Sequence, residues 1–182
     1  MGHIHNQPYE FDFTVSAYIF RFSETEQRCL MLMHRHKLLS WILPVGGHIE
    51  LTETPWQAMV REVKEEAGYG INELQVLQPK DRIKGLSGVV QAPAPLVINS
   101  HRFSDDHFHT DISYALVVDS IAQGSIIDNE SQEFLWVNQY QLAALSEAET
   151  VLDVQQIGAF AFSFCLVNWE AVAASSFSTK NP

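Results

Sequence analysis

"TPWQAMVREVKEEAGYG", residues 54 to 70, specifies one helix from both of its ends. Thr54 is a natural N-cap, Pro55 suits the first helical position because its missing N–H would be unsatisfied there anyway, and Gln57 completes a T-x-x-Q capping box. Gly68 supplies the stop. Between the caps, Trp56, Met59, Val60, Val63 and Ala67 recur at spacings of three and four, which makes a stripe facing a core. At ~100° per residue, Glu62, Glu65 and Glu66 project from one side, away from most of that stripe. Local physics disfavours this grouping: like charges at i and i+4 repel, and acids in a last turn oppose the negative end of the helix dipole. One reading is a solvated acidic face relieved by Arg61 and Lys64. The other is a cation site. Glu53 and the Gly46-Gly47 turn lie just before the helix, so carboxylate and carbonyl oxygens could converge there, and an all-oxygen set suits Mg²⁺ or Mn²⁺.

Working outward, "FDFTVSAYIFRF" (Phe11 to Phe22) is rich in aromatic and β-branched residues and reads as a strand. The turn "SETEQ" leads to a second strand, "RCLMLMHR", so the two are expected to form a hairpin. "WILPVGGHIE" is a brief apolar run ending at Pro44 and the two glycines, where the backbone can turn sharply or approach a ligand. Beyond the helix, "LQVLQ", "PLVIN", "FHTDISYALVVD" and "EFLWVN" read as strands. The Gly- and Pro-containing segment from Pro79 to Pro95 is a candidate substrate rim. The chain closes on a helical pattern through Val151, Val154, Ile157, Phe160 and Phe164. This order implies an α/β fold, a mixed sheet with helices packed on it.

Composition narrows the function classes. The 182 residues, 46% of them hydrophobic, are expected to form a single domain over residues 1–182, with about residues 1–10 as a flexible N-terminus. Eleven Lys and Arg against 22 Asp and Glu give a formal charge of −11, which argues against nucleic acid or an anionic membrane as partner and leaves divalent cations welcome. Cys29 and Cys165 suggest no disulfide framework, and "MGHIHNQPYE" has neither a basic start nor an apolar run, so a cytoplasmic protein is expected. "IGAFAFSFCLVNW" (Ile157 to Trp169) falls short of the ~20 residues that span a bilayer and reads as a buried helix. Apolar nearly all round, it must be covered by the core or by a second copy, which makes a homodimer an expectation.

From Gly47 to Tyr69, "GHIELTETPWQAMVREVKEEAGY" resembles the Nudix box, G-x5-E-x7-R-E-U-x-E-E-x-G-U, where U is bulky and apolar. Gly47, Glu53, Arg61, Glu62, Val63, Glu65, Glu66 and Gly68 fall in register, and only Tyr69 departs, standing where an aliphatic residue is usual. "WILPVGGHIE" is similar to the family's strand leading into the box, and "EFLWVN" to its later acid-x-x-Trp strand. The resemblance implies an α/β/α sandwich around a mixed β-sheet. It also implies hydrolysis of a pyrophosphate bond in a nucleoside diphosphate linked to another moiety, by metal-activated attack of water. Oxidised nucleoside triphosphates, ADP-ribose, dinucleotide polyphosphates and nucleotide sugars all fit the box; a non-catalytic nucleotide-binding or regulatory module is the alternative. Carried over by position, Glu62, Glu65 and Glu66, with the carbonyl of Gly46, are the expected ligands of Mg²⁺, with Mn²⁺ as a substitute. Glu65 is the first choice as general base, with Glu130 and Glu133 as rivals. Arg61 is expected to orient the acids by pairing with Glu53.

Other residues carry weaker signals. His107, His109 and Asp111 alternate along one strand and could hold a transition metal or line a pocket. Lys80, Arg82 and Lys84 could meet phosphate or be a solvated loop. Trp41, Phe103, Phe108 and Tyr114 could stack on a base, though each reads more simply as core. His3 and His5 read as an incidental pair in the N-terminus.

Overall fold

A computed structural model describes residues 9–37, 39–125 and 131–180; His3, His5 and Glu130 lie outside them. β1 (Phe11–Ser23) and β2 (Arg28–His36) form the expected antiparallel hairpin, with Ile19 opposite Leu32. β3 (Ile42–Leu43) joins β2, and β4 (Val45–His48) runs antiparallel to the first half of β1, with Ser16 opposite Gly46 and Thr14 opposite His48. β5 (Gln75–Gln78), β6 (Val97–Ser104), β7 (His107–Val117), β8 (Ser131–Val137) and β9 (Glu170–Ala173) complete a mixed sheet whose central path is β3-β2-β1-β7-β5-β9. Among the described residues, β1 and β7 are the only parallel neighbours, in register from Phe11 opposite Phe108 to Phe20 opposite Val117.

Alternation along these strands sends two different sets of side chains to the two faces. Val15, Ala17 and Ile19 of β1 join Tyr114 and Leu116 of β7 against α1 (Pro55–Ala67), whose stripe Trp56, Met59, Val63 and Ala67 is buried there. The Thr54 side chain and Gln57 form the capping box, and Gly68 closes the helix at φ 76°, a left-handed conformation open to a residue without a β-carbon. On the other face Tyr18, Phe20, Met31 and Met33 pack under α2 (Gln139–Ala144) and α3 (Leu152–Phe160). The sheet therefore has α1 on one side and α2 with α3 on the other.

The helical cover on that second face is incomplete. It reaches Tyr18 and Phe20 but stops short of Thr14 and Ser16, and over these two residues the sheet floors a cleft of about 710 Å³.

Ile157–Trp169 departs from the buried helix expected of it. α3 continues through a wider π-helical turn, Ala161–Cys165, and a last turn, Leu166–Asn168. Only one side packs: Val154, Gly158, Ala161 and Cys165 face the sheet, while Phe160, Phe164 and Val167 are exposed. Gly158 fits so closely that an added β-carbon would come 2.5 Å from Leu142 Cδ2. Hydropathy alone cannot distinguish a helix buried all round from one that lies on a sheet with an apolar outer face. Both cysteines are free thiols, and among the described residues no helix is long and apolar enough to cross a membrane.

Candidate active site

The glycine pair of β4 brings this strand against the last two turns of α1. A β-carbon on Gly47 would lie 2.3 Å from Glu62 Oε1, so the carboxylate occupies the space a side chain would need. The Gly46 N–H donates to Glu66 Oε2 at 3.0 Å. Glu62 and Glu66 are accordingly each only 1% exposed, while the Glu65 side chain is one-third exposed. The acidic side of α1 is thus not a solvated face: two of its carboxylates are buried against the β4 strand.

One guanidinium organises them. Arg61 Nη2 donates to Glu53 Oε1 at 2.6 Å and Nε to Glu53 Oε2 at 3.2 Å, a two-pronged pair. Its Nη1 donates to Glu62 Oε1 at 2.7 Å and Glu65 Oε2 at 3.2 Å, and Nη2 also reaches the His48 carbonyl at 2.9 Å. The hydrogen bond to Glu53, reinforced by the charge of Glu62, holds Arg61 protonated beyond its ordinary value. The Arg61 guanidinium therefore faces the carboxylates of Glu53, Glu62 and Glu65, with that of Glu66 close by on the same helix. The donors are all oxygen and the excess charge is negative, which fits a hard divalent ion better than a neutral ligand.

Glu62, Gly46 and Gly47 open onto the 710 Å³ cleft, whereas Glu53, Arg61 and Glu65 line a shallower hollow on the outer side of the helix. The floor of the cleft is polar. Asp111, buried on β7, accepts hydrogen bonds from Thr14 Oγ1 (2.9 Å), Ser16 Oγ (2.9 Å) and Ser113 Oγ (2.6 Å). These hydroxyls leave Asp111 apart from His107 and His109, which converge instead on Asp12 of β1: His107 Nε2 lies 3.2 Å from Asp12 Oδ2. Burial, then the neighbouring His48, His101 and His107, push the His109 imidazole down to about 3, so it is neutral at pH 7.

The aromatic candidates separate. Trp41 and Phe103 line the cleft, and Phe103 stacks on His109 with 4.5 Å between ring centroids. Phe108 stacks on Phe11, and Tyr114 is buried beside Trp56. Among the described residues, none from Pro79 to Pro95 lines the cleft, so that segment is not its rim. Arg82 and Lys84 instead pair with Glu170 of β9, Lys84 Nζ at 3.1 Å, which ties the loop to the edge strand. Glu133 is mostly exposed and lies 3.8 Å from Arg35.

Sequence reasoning missed Asp12, Thr14, Ser16, His48 and His101 of this site. The signal was present in part: alternate polar residues Asp12, Thr14 and Ser16 interrupt an otherwise apolar strand, which is unusual for a face that is to be buried.

Comparison with known proteins agrees with this geometry. A family model for the NUDIX domain matches residues 12–153. A search of curated protein sequences returns no match. Among solved structures, a hydrolase of the NUDIX family from Clostridium perfringens is 28% identical, with a TM-score of 0.67 over 83% of this chain and 95% of that one. An Ap4A hydrolase from C. elegans, 14% identical, superposes with a TM-score of 0.60 over 81% of this chain and 92% of its own. The NUDIX domain of NrtR from Shewanella oneidensis, solved with ADP-ribose and also 14% identical, gives 0.55 over 84% and 86%. At 14% identity the last two speak to the fold alone. With the family matched across most of its length and the box built as described, the chain belongs to the Nudix family and is a pyrophosphohydrolase of that family.

Proposed function

We propose that the chain, as one Nudix domain, catalyses divalent-metal-dependent hydrolysis of the pyrophosphate bond in a nucleoside diphosphate linked to another moiety. The observation that carries this reading is the pair of buried carboxylates, Glu62 and Glu66, of which Glu62 lines a cleft large enough for a nucleotide conjugate. Glu62, Glu65, Glu66 and the Gly46 carbonyl would hold Mg²⁺, or Mn²⁺ in its place. When bound, the ion neutralises phosphate charge and activates the attacking water.

The chain's own residues do the rest. Arg61, locked to Glu53, fixes where the Glu62 and Glu65 oxygens sit. Glu65, the least buried of the three acids, can take the proton from water and pass it to solvent; Glu133 and Glu130 are the rivals for that role. Trp41 and Phe103, at the cleft wall, are the aromatic surfaces a nucleobase would meet. The charge of −11 weighs against nucleic acid or an anionic membrane as partner, and two free thiols suit the cytoplasm.

The test is product release from a panel of ADP-ribose, a dinucleotide polyphosphate, a nucleotide sugar and an oxidised nucleoside triphosphate. Each is assayed with Mg²⁺ and with Mn²⁺, and kcat/KM is compared across Glu66→Gln, Glu65→Gln and Glu133→Gln. Turnover of one class, lost in Glu66→Gln, is expected. No release from any compound with either ion would overturn the reading, and near-normal kcat in Glu65→Gln at saturating Mg²⁺ would remove Glu65 as base.

A further inference from the structure

We propose that Asp12, His107 and His109 form a second metal site, for a zinc-class transition ion, separate from the acidic helix. The site is built by two strands. His107 and His109 alternate along β7 and so share a face, and the parallel register sets Asp12 of β1 opposite His109. One ligand atom from each of the three lies within 4.8 Å of the other two. A tetrahedral ion with bonds of ~2.0–2.1 Å separates its ligand atoms by about 3.3 Å. Asp12 Oδ2 and His107 Nε2, 3.2 Å apart, already meet that separation, and His48 Nε2 stands 3.5 Å from the same Asp12 oxygen.

The chemistry of the set differs from that of α1. Two imidazoles and one carboxylate favour Zn²⁺, Co²⁺ or Fe²⁺ over Mg²⁺, which prefers oxygen and retains its waters. Burial of all three side chains, Asp12 completely, excludes the competing water that weakens exposed clusters. An ion here would pin β1 to β7 at the end where no helix covers them. It would also fix the ring of His109, against which Phe103 stacks in the cleft wall. The inference stands on these three residues and does not depend on the roles given to Glu62, Glu65 and Glu66.

Full-length protein stripped by a chelator and titrated with Co²⁺ alone tests it. One equivalent should bind with the intense ligand-field bands of a low-coordinate imidazole site, together with paramagnetically shifted imidazole N–H resonances from two histidines. Mg²⁺ in excess should not displace it, and Zn²⁺ should. Affinity should fall at least ~100-fold in His109→Gln and in Asp12→Asn, ligand loss costing no less than loss of a supporting partner. It should hold in the Glu62→Gln/Glu66→Gln double variant. Weak octahedral bands in the wild type, absence of shifted histidine resonances, or loss of binding in the double variant alone would overturn the proposal. The wild-type spectra decide it even where a ligand variant fails to fold.

Discussion

Gly47→Ala isolates the contact on which the acidic site is built. The new β-carbon would lie 2.3 Å from Glu62 Oε1 and 2.6 Å from its Cδ, and ordinary contact begins at 3.4 Å, so the carboxylate must retreat by about 1 Å. It cannot do so freely, because Arg61 holds the same oxygen at 2.7 Å and the side chain is 1% exposed. Overpacking of this kind costs ~1–3 kcal/mol, which in a chain of this size lowers Tm by roughly 2–12 °C. Misplacement of a catalytic group by 1 Å costs on the order of 100-fold in rate. The expected outcome is a folded protein with a modest loss of Tm and a loss of about 100-fold in kcat/KM on the best substrate of the panel, partly recovered at high Mg²⁺ or Mn²⁺. Gly46→Ala is the contrast: its β-carbon would meet backbone, Val15 O at 2.0 Å, so it should damage folding itself. Scanning calorimetry and metal-dependent kinetics on both variants check this. A Gly47→Ala protein with unchanged kcat/KM and unchanged metal dependence would refute the claim that the glycine exists to seat Glu62.

Arg61→Ala should destabilise by ~3–5 kcal/mol, because it strands the buried Glu62 carboxylate without its cation; urea unfolding checks it, and suppression of the loss by Glu62→Gln in the double variant would confirm the origin. Burial raises Tyr114 from an ordinary value of 10.0 to about 12. The unfolded chain therefore ionises first, and stability that is complete below pH 10 is lost as pH rises toward 12, by on the order of 2 kcal/mol. Tyr114→Phe should flatten that alkaline decline, and parallel curves for the two proteins would contradict it. Phe160 and Phe164, exposed and stacked at 5.2 Å between centroids, are expected to be covered by a second copy of the chain. Sedimentation should show a dimer that Phe164→Glu dissociates, and a wild-type monomer at micromolar concentration would end the idea.

What could be read from residues alone was whatever local chemistry decides. Thr54, Gln57 and Gly68 act within four residues of themselves, so the ends of α1 follow directly. The hairpin of β1 and β2 follows likewise from a short turn between two apolar runs. What needed coordinates was whatever partners decide. Nothing local to Glu62 or Glu66 says that β4 will bury them; that depends on Gly46 and Gly47 lying some 20 residues upstream of Glu66. Asp12 joins His107 and His109 only through the β1 and β7 register, across just over half the chain, while Asp111, the nearer candidate in sequence, is claimed by Thr14, Ser16 and Ser113. β9 was missed because "EAVA" is short, and its place is set by pairing with β5.

β1 is one continuous strand whose second half lies under α3 and whose first half floors the cleft. The floor is therefore preorganised: Thr14 and Ser16 stand on the same backbone whose neighbours Tyr18 and Phe20 are locked in the core. A ligand settling on it orders almost nothing in the protein, and the conformational entropy that flexible pockets lose on binding is largely spared. Selectivity at this end of the cleft should then behave like that of a rigid mould. Changes at positions 14 and 16 would alter which molecules fit, and would also weaken the fold beneath wherever they remove a donor to the buried Asp111 carboxylate.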